Sequence, residues 1–114
     1  LDAAKECDEN IACWKGKLSD KNALVRRKAA YMLGRLVEND QGVISALVEV
    51  LGDSDISVRN AALFALDRVA LKGSPEAIAK IDELLQKEQG TVMGKQFATE
   101  AVGIAGRLKA RQGA

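Results

Sequence analysis

LGDSDISVRNAALFAL, residues 51–66, has a near-copy thirty-three positions upstream in LSDKNALVRRKAAYML, residues 18–33. Leu18, Asp20, Val25, Arg26, Ala29 and Leu33 return as Leu51, Asp53, Val58, Arg59, Ala62 and Leu66, and Arg35 returns as Arg68. Tyr31 and Leu36 come back conservatively as Phe64 and Val69. A fixed period of this length marks a solenoid, in which each unit buries its apolar side only against its neighbours.

Composition narrows the architecture further. Of 114 residues 47% are hydrophobic but only 4% aromatic, so the core must be built from Ala, Leu, Val and Ile. With a single proline, such a chain favours stacked helices over a sandwich or barrel. The expected fold is all-α, an α-α superhelix of about three antiparallel helix pairs. One domain spanning 1–114 is expected, with units near 8–38, 40–72 and 74–110.

The helix signals fall at matching places. In the first unit Asp8 is the expected N-cap, and Ile11, Trp14 and Leu18 share one stripe. Ile44, Leu47 and Leu51 repeat that stripe after a cap at Asp40. Second helices are expected from Asn22 to about Glu38, and from Asp53 or Asp55 to about Lys72. Gly52 is expected to close its helix with a left-handed backbone. Gly73-Ser-Pro75 reads as stop, cap and first helical residue. In the third unit Ile78, Ile81 and Leu85 should point inward. There the period slips. Lys95, Ala98, Val102 and Gly103 match Arg59, Ala62, Leu66 and Asp67 with three residues inserted, and Gly94, Gly103 and Gly106 suggest closer helix contact.

At about 100° per residue, Val25, Ala29, Met32, Leu33 and Leu36 share one face of their helix. Val58, Ala62, Ala65, Leu66 and Val69 do the same in the next unit. The opposite face carries Arg27, Tyr31, Gly34, Arg35 and Glu38, then Asn60, Phe64, Asp67, Arg68 and Leu71. In the third unit it carries Gln96, Glu100, Gly103, Ile104 and Arg107.

These repeats resemble HEAT repeats, in particular the short bacterial HEAT-like repeats named after phycobilisome lyases. The resemblance covers roughly residues 10–108, with two good copies and a degenerate third. It implies a right-handed stack of helix pairs, the first helices convex and the second concave, that holds another macromolecule. It also implies that Asp20, Arg26, Asp53 and Arg59 form an inter-repeat ladder, ordering the stack rather than binding a ligand.

The expected function is therefore a non-catalytic scaffold that binds a protein partner on its second-helix face. Arg27, Tyr31, Arg35, Phe64, Arg68 and Arg107 are the candidate anchors, with Asn60 and Glu100 at the rim, because aromatic and Arg side chains dominate interface energetics. The competing account has the Tyr31 and Phe64 rings packed sideways against the next unit. A different class, nucleic-acid binding, would use Arg27, Lys28, Arg35, Arg68, Lys95 and Arg107. Residues 21–38 are indeed basic, but the formal net charge is only +1, and Asp67 and Glu100 share the face.

Catalysis has little to draw on. The chain has no histidine, which removes the commonest general base and metal ligand. No metal site and no cofactor are expected, and the histidine-dependent iron sites of HEAT-like hydroxylases have no counterpart. Cys7 and Cys13 fit neither a zinc pattern nor a redox Cys-x-x-Cys. If the helix breaks at Asp8 they can pair as a disulfide, which implies an oxidising compartment and an exported protein; otherwise they are two packed thiols in a cytoplasmic one. No segment approaches the ~20 apolar residues of a membrane span. The chain starts without Met and already in a helical pattern, as expected of a processed chain or a fragment, so monomer and segment of a larger solenoid both stay open.

Overall fold

The computed structural model describes residues 7–87 and 92–113, and the side chains of 92–96 are not among those described. The expectations for Gly94, Lys95 and Gln96 therefore lie outside the described side chains. Among the described residues six α-helices follow one another: α1 Ile11–Lys17, α2 Ala23–Leu36, α3 Gln41–Val50, α4 Ile56–Val69, α5 Pro75–Lys87 and α6 Val92–Gly113. No strand occurs among the described residues.

Short polar side chains start these helices by accepting the N–H groups that a first turn leaves unpaired. Asn22 Oδ1 accepts from Leu24 N, Asp40 Oδ1 from Val43 N, and Asp55 Oδ1 from Ser57 N. Ser74 Oγ accepts from Ala77 N, and Pro75 follows it as the first helical residue. Asp55 rather than Asp53 is the cap of α4. The cap of α1 is Asn10, which accepts from Cys13 N, and not Asp8. Asp8 instead adopts a positive φ of 47°, a conformation Asp tolerates better than most, and its carbonyl accepts from Trp14 Nε1 at 2.8 Å. Gly52 does not take the left-handed backbone expected of it; among the described residues Gly73, at φ +78°, is the glycine that does.

The helices pack as two layers in a slab of 41 × 34 × 15 Å. Each first helix lies against its own second helix, α1 on α2, α3 on α4 and α5 on α6. The second helices also stack in a row, α2 on α4 and α4 on α6, while α3 packs on α5. Burial follows the repeat. Trp14, Leu47 and Ile81 are enclosed on the first helices, and Ala29, Leu33, Ala62 and Leu66 on the second. Small residues let the rows approach. Gly34 is buried where α2 crosses α4, and a methyl group there would stand 3.0 Å from Ala65 Cα.

The third unit corrects the sequence register. Val102, expected opposite Leu66 in the core, is 60% exposed, whereas Ile104, expected outward, is fully buried. Phe97, Ala101, Ile104, Ala105 and Leu108 hold the core positions and match Val58, Ala62, Ala65, Leu66 and Val69 at a constant spacing of thirty-nine. The insertion is thus six residues relative to the thirty-three-residue period. It was misplaced because the small residues of α6 give two helical phases nearly equal apolar content. Nor do Gly103 and Gly106 serve close packing: both are exposed, and nothing lies within 4 Å of a methyl group at Gly106.

Candidate functional site

Polar interactions fall into two sets, one joining the units and one left facing solvent. The joining set begins at the turns. Asp20 Oδ1 accepts from Asn22 N and Asp53 Oδ1 from Asp55 N, both at 2.9 Å. Arg26 Nη1 donates to Asp20 O at 2.8 Å, and Arg59 Nη1 donates to Asp53 O at 3.0 Å, the same bond one unit on. Between units, Arg26 forms a two-pronged pair with the Asp53 carboxylate, Nε to Oδ2 at 2.8 Å and Nη2 to Oδ1 at 3.0 Å. Burial pushes the Asp53 carboxyl up, but the Arg26 hydrogen bond, the Asp55 N–H and the Arg26 charge outweigh it and leave the pKa below its usual range. The same hydrogen bond, against opposing desolvation, raises the pKa of Arg26.

A second set of bonds joins the far ends of the second helices, and sequence reasoning missed its logic. The last carbonyls of a helix lack intrahelical donors. Arg68 Nε on α4 donates to Gly34 O on α2 at 3.3 Å, and Arg111 Nη1 on α6 donates to Asp67 O on α4 at 2.8 Å. Asp67 occupies the position of Gly34 one unit on. The Asp67 carboxylate is held by Arg107 and Arg111 together, at 3.1 and 3.0 Å. Arg68 and Arg107, expected as free anchors, thus carry intramolecular bonds. Arg111 was legible only as a cation one turn beyond Arg107, near the helix end where cations are favoured.

The solvent-facing set lies on α2 and α4. Tyr31 and Phe64 are 52% and 46% exposed, so neither ring is packed away sideways into the next unit. They flank a groove of about 410 Å³ floored by the buried Gly34 and Ala65 and lined also by Asp67 and Arg68. A second groove, lined by Leu24, Arg27, Lys28 and Tyr31, opens on the other side of the tyrosine. Lys28 Nζ and the Arg35 guanidinium approach the Tyr31 ring at 5.8 and 5.7 Å from its centre, within cation–π range. Arg27, Lys28 and Arg35 are exposed, and none pairs with a carboxylate among the described residues.

Two rim residues separate. Glu100 is exposed on α6, and its charge helps raise the pKa of Arg107, after the larger contributions of the Asp67 hydrogen bond and charge. Asn60 is half-buried, with its Oδ1 enclosed and without a hydrogen-bond partner. Trp14 is core, 1% exposed. Cys7 and Cys13 are joined as a disulfide across the break before α1, with Cα atoms 5.3 Å apart. Among the described residues no cluster of His, Cys, Asp or Glu could hold a metal, and no helix is long and apolar enough to cross a membrane.

Repeated helix pairs, shared apolar flanks and Asp–Arg links between units define an α-helical repeat protein. A family model for HEAT repeats matches residues 15–101, and the chain belongs to that family. Neither a curated protein nor a solved structure gives a significant match. HEAT repeats are generally protein-interaction scaffolds.

Proposed function

We propose that this chain is a non-catalytic scaffold that engages a protein partner on its second-helix face, through the surface running from Arg27 across Tyr31 to Phe64. The observation that carries the proposal is that two aromatic rings at equivalent repeat positions stay exposed over a groove floored by Gly34 and Ala65. Rings of this size are worth burying, and a preformed helical surface loses little entropy on binding. Arg68 contributes as a fixed wall of the groove, its Nε bonded to Gly34 O, while Arg107 holds Asp67 in place. Arg27, Lys28 and Arg35 supply the adaptable charge. The Cys7–Cys13 disulfide supports an oxidising compartment as the working environment.

The test pairs binding with stability. Tyr31→Ala with Phe64→Ala should abolish capture of the partner recovered by the wild-type chain, while Tm moves by no more than about 2 °C, as expected of exposed sites. Undiminished capture would sink the assignment of the face.

A further inference from the structure

The charge left over on α2 constrains what the partner must look like. Arg27, Tyr31 and Arg35 follow one another at four-residue intervals and so form a stripe along one side of the helix. Lys28 adds a third cation beside the ring. The carboxylate that lines the groove, Asp67, is already held by Arg107 and Arg111. Glu38 lies past the end of α2 and bonds to none of these cations. The α2 surface therefore offers two positive ends with an aromatic centre, and the Phe64 ring faces that centre across a groove with an apolar floor.

From this geometry we infer that the occupant is an extended acidic peptide segment carrying two carboxylates four residues apart, with an apolar side chain midway between them. The inference rests on the second-helix face being the binding face. Eight residues of helix separate Arg27 from Arg35, about 12 Å along the axis. An extended chain covers that distance in about four residues. Side chains two and four apart on such a chain point the same way, so both carboxylates and the apolar residue meet the helix together. One carboxylate pairs with Arg27 and Lys28, the other with Arg35, and the apolar side chain enters the groove between Tyr31 and Phe64. A nucleic acid fits less well. The cations available beside the groove, Arg27, Lys28 and Arg35, all lie on α2, the groove floor is apolar, and neutralising a run of phosphates needs a longer basic track.

The experiment uses fluorescence anisotropy with synthetic peptides of about ten residues and the full chain, disulfide intact. The first peptide carries two Glu residues four apart around a central Phe. A second replaces both Glu with Gln, a third replaces them with Lys, and a fourth moves the two Glu next to each other. Random duplex DNA is titrated in parallel, and light scattering reports whether the chain pairs with itself through this face. The spaced acidic peptide should bind at least about ten-fold tighter than the other three, weakening as salt rises. Arg27→Gln with Arg35→Gln should remove that preference while the thermal melt stays in place. Equal binding of the Gln peptide, sensitive to Phe64→Ala, overturns the acidic preference but leaves the face standing. Absence of peptide binding at millimolar concentration, preferential DNA binding through the same cations, or a dimer that occludes Tyr31 each overturns the inference.

Discussion

At the scale of single residues, three positions that correspond along the second helices do different work. Gly34, Asp67 and Gly106 occupy equivalent places once the third unit is aligned on its buried residues. Gly34 permits contact, Asp67 gathers two arginines, and Gly106 meets open space. Replacing glycine by alanine in a helix gains about 1 kcal/mol of propensity. At Gly34 the new methyl would press on Ala65 Cα, which is backbone, and overpacking of this kind costs about 1–3 kcal/mol. Gly34→Ala is therefore expected to lower Tm, because crowding exceeds the propensity gain, while Gly106→Ala should raise it. Thermal melting of both variants checks the pair of signs. A rise for both would show that α2 and α4 move apart without cost.

Between elements, stability depends on charge as well as on apolar contact. Asp53 sits at the turn between α3 and α4, and binds Arg26 on α2 and the Asp55 N–H just before α4. Its pKa is lower folded than unfolded, so folding favours the ionised form. That contribution is present in full above the ordinary Asp value of about 3.9 and is lost as pH falls through the lowered folded value. The expected outcome is that Asp53→Asn lowers Tm by about 5 °C at pH 7, consistent with loss of charge assistance in two hydrogen bonds. The difference from wild type should shrink as pH falls below about 4 and vanish below the lowered folded value, where the wild-type carboxyl is neutral too. Melts across pH 2.5–7 measure this, and a gap that stays constant would mean the Asp53 charge does not link the units. Asp55 and Glu83 also have lowered pKa values, Asp55 mainly through the Ser57 hydroxyl and N–H, Glu83 mainly through Lys87, so these two groups add to the stability the protein loses in acid.

For the whole molecule, legibility in the sequence tracked how strongly each unit is constrained by neighbours. In the first two units each apolar stripe recurs at one spacing, and the helix row follows from it. The third unit has nothing stacked beyond it among the described residues, so its exposed side tolerates Val102, Gly103 and Gly106, and the pattern there admitted a wrong phase. The site was legible only in part. The exposure of Tyr31 and Phe64 follows from helical phase, but whether an arginine faces solvent or a neighbouring carbonyl depends on distances between units that no spacing reports. Arg68 and Arg107 show this directly. The same arrangement predicts how the chain comes apart. Stability in a stack is a sum of unit and neighbour terms, so damage at the end should stay local and damage in the middle should not. Ile104 and Leu66 are both fully buried, one on α6 and one on α4, and truncating either to Ala removes about 2–5 kcal/mol of packing. Ile104→Ala should open α5 and α6 to amide hydrogen exchange while α2 and α4 keep their protection. Leu66→Ala should accelerate exchange in α2, α4 and α6 together, because both of its neighbours in the row lose their partner. Exchange measured helix by helix separates the two cases, and equal loss of protection everywhere in Ile104→Ala would mean that the three pairs unfold as one indivisible unit.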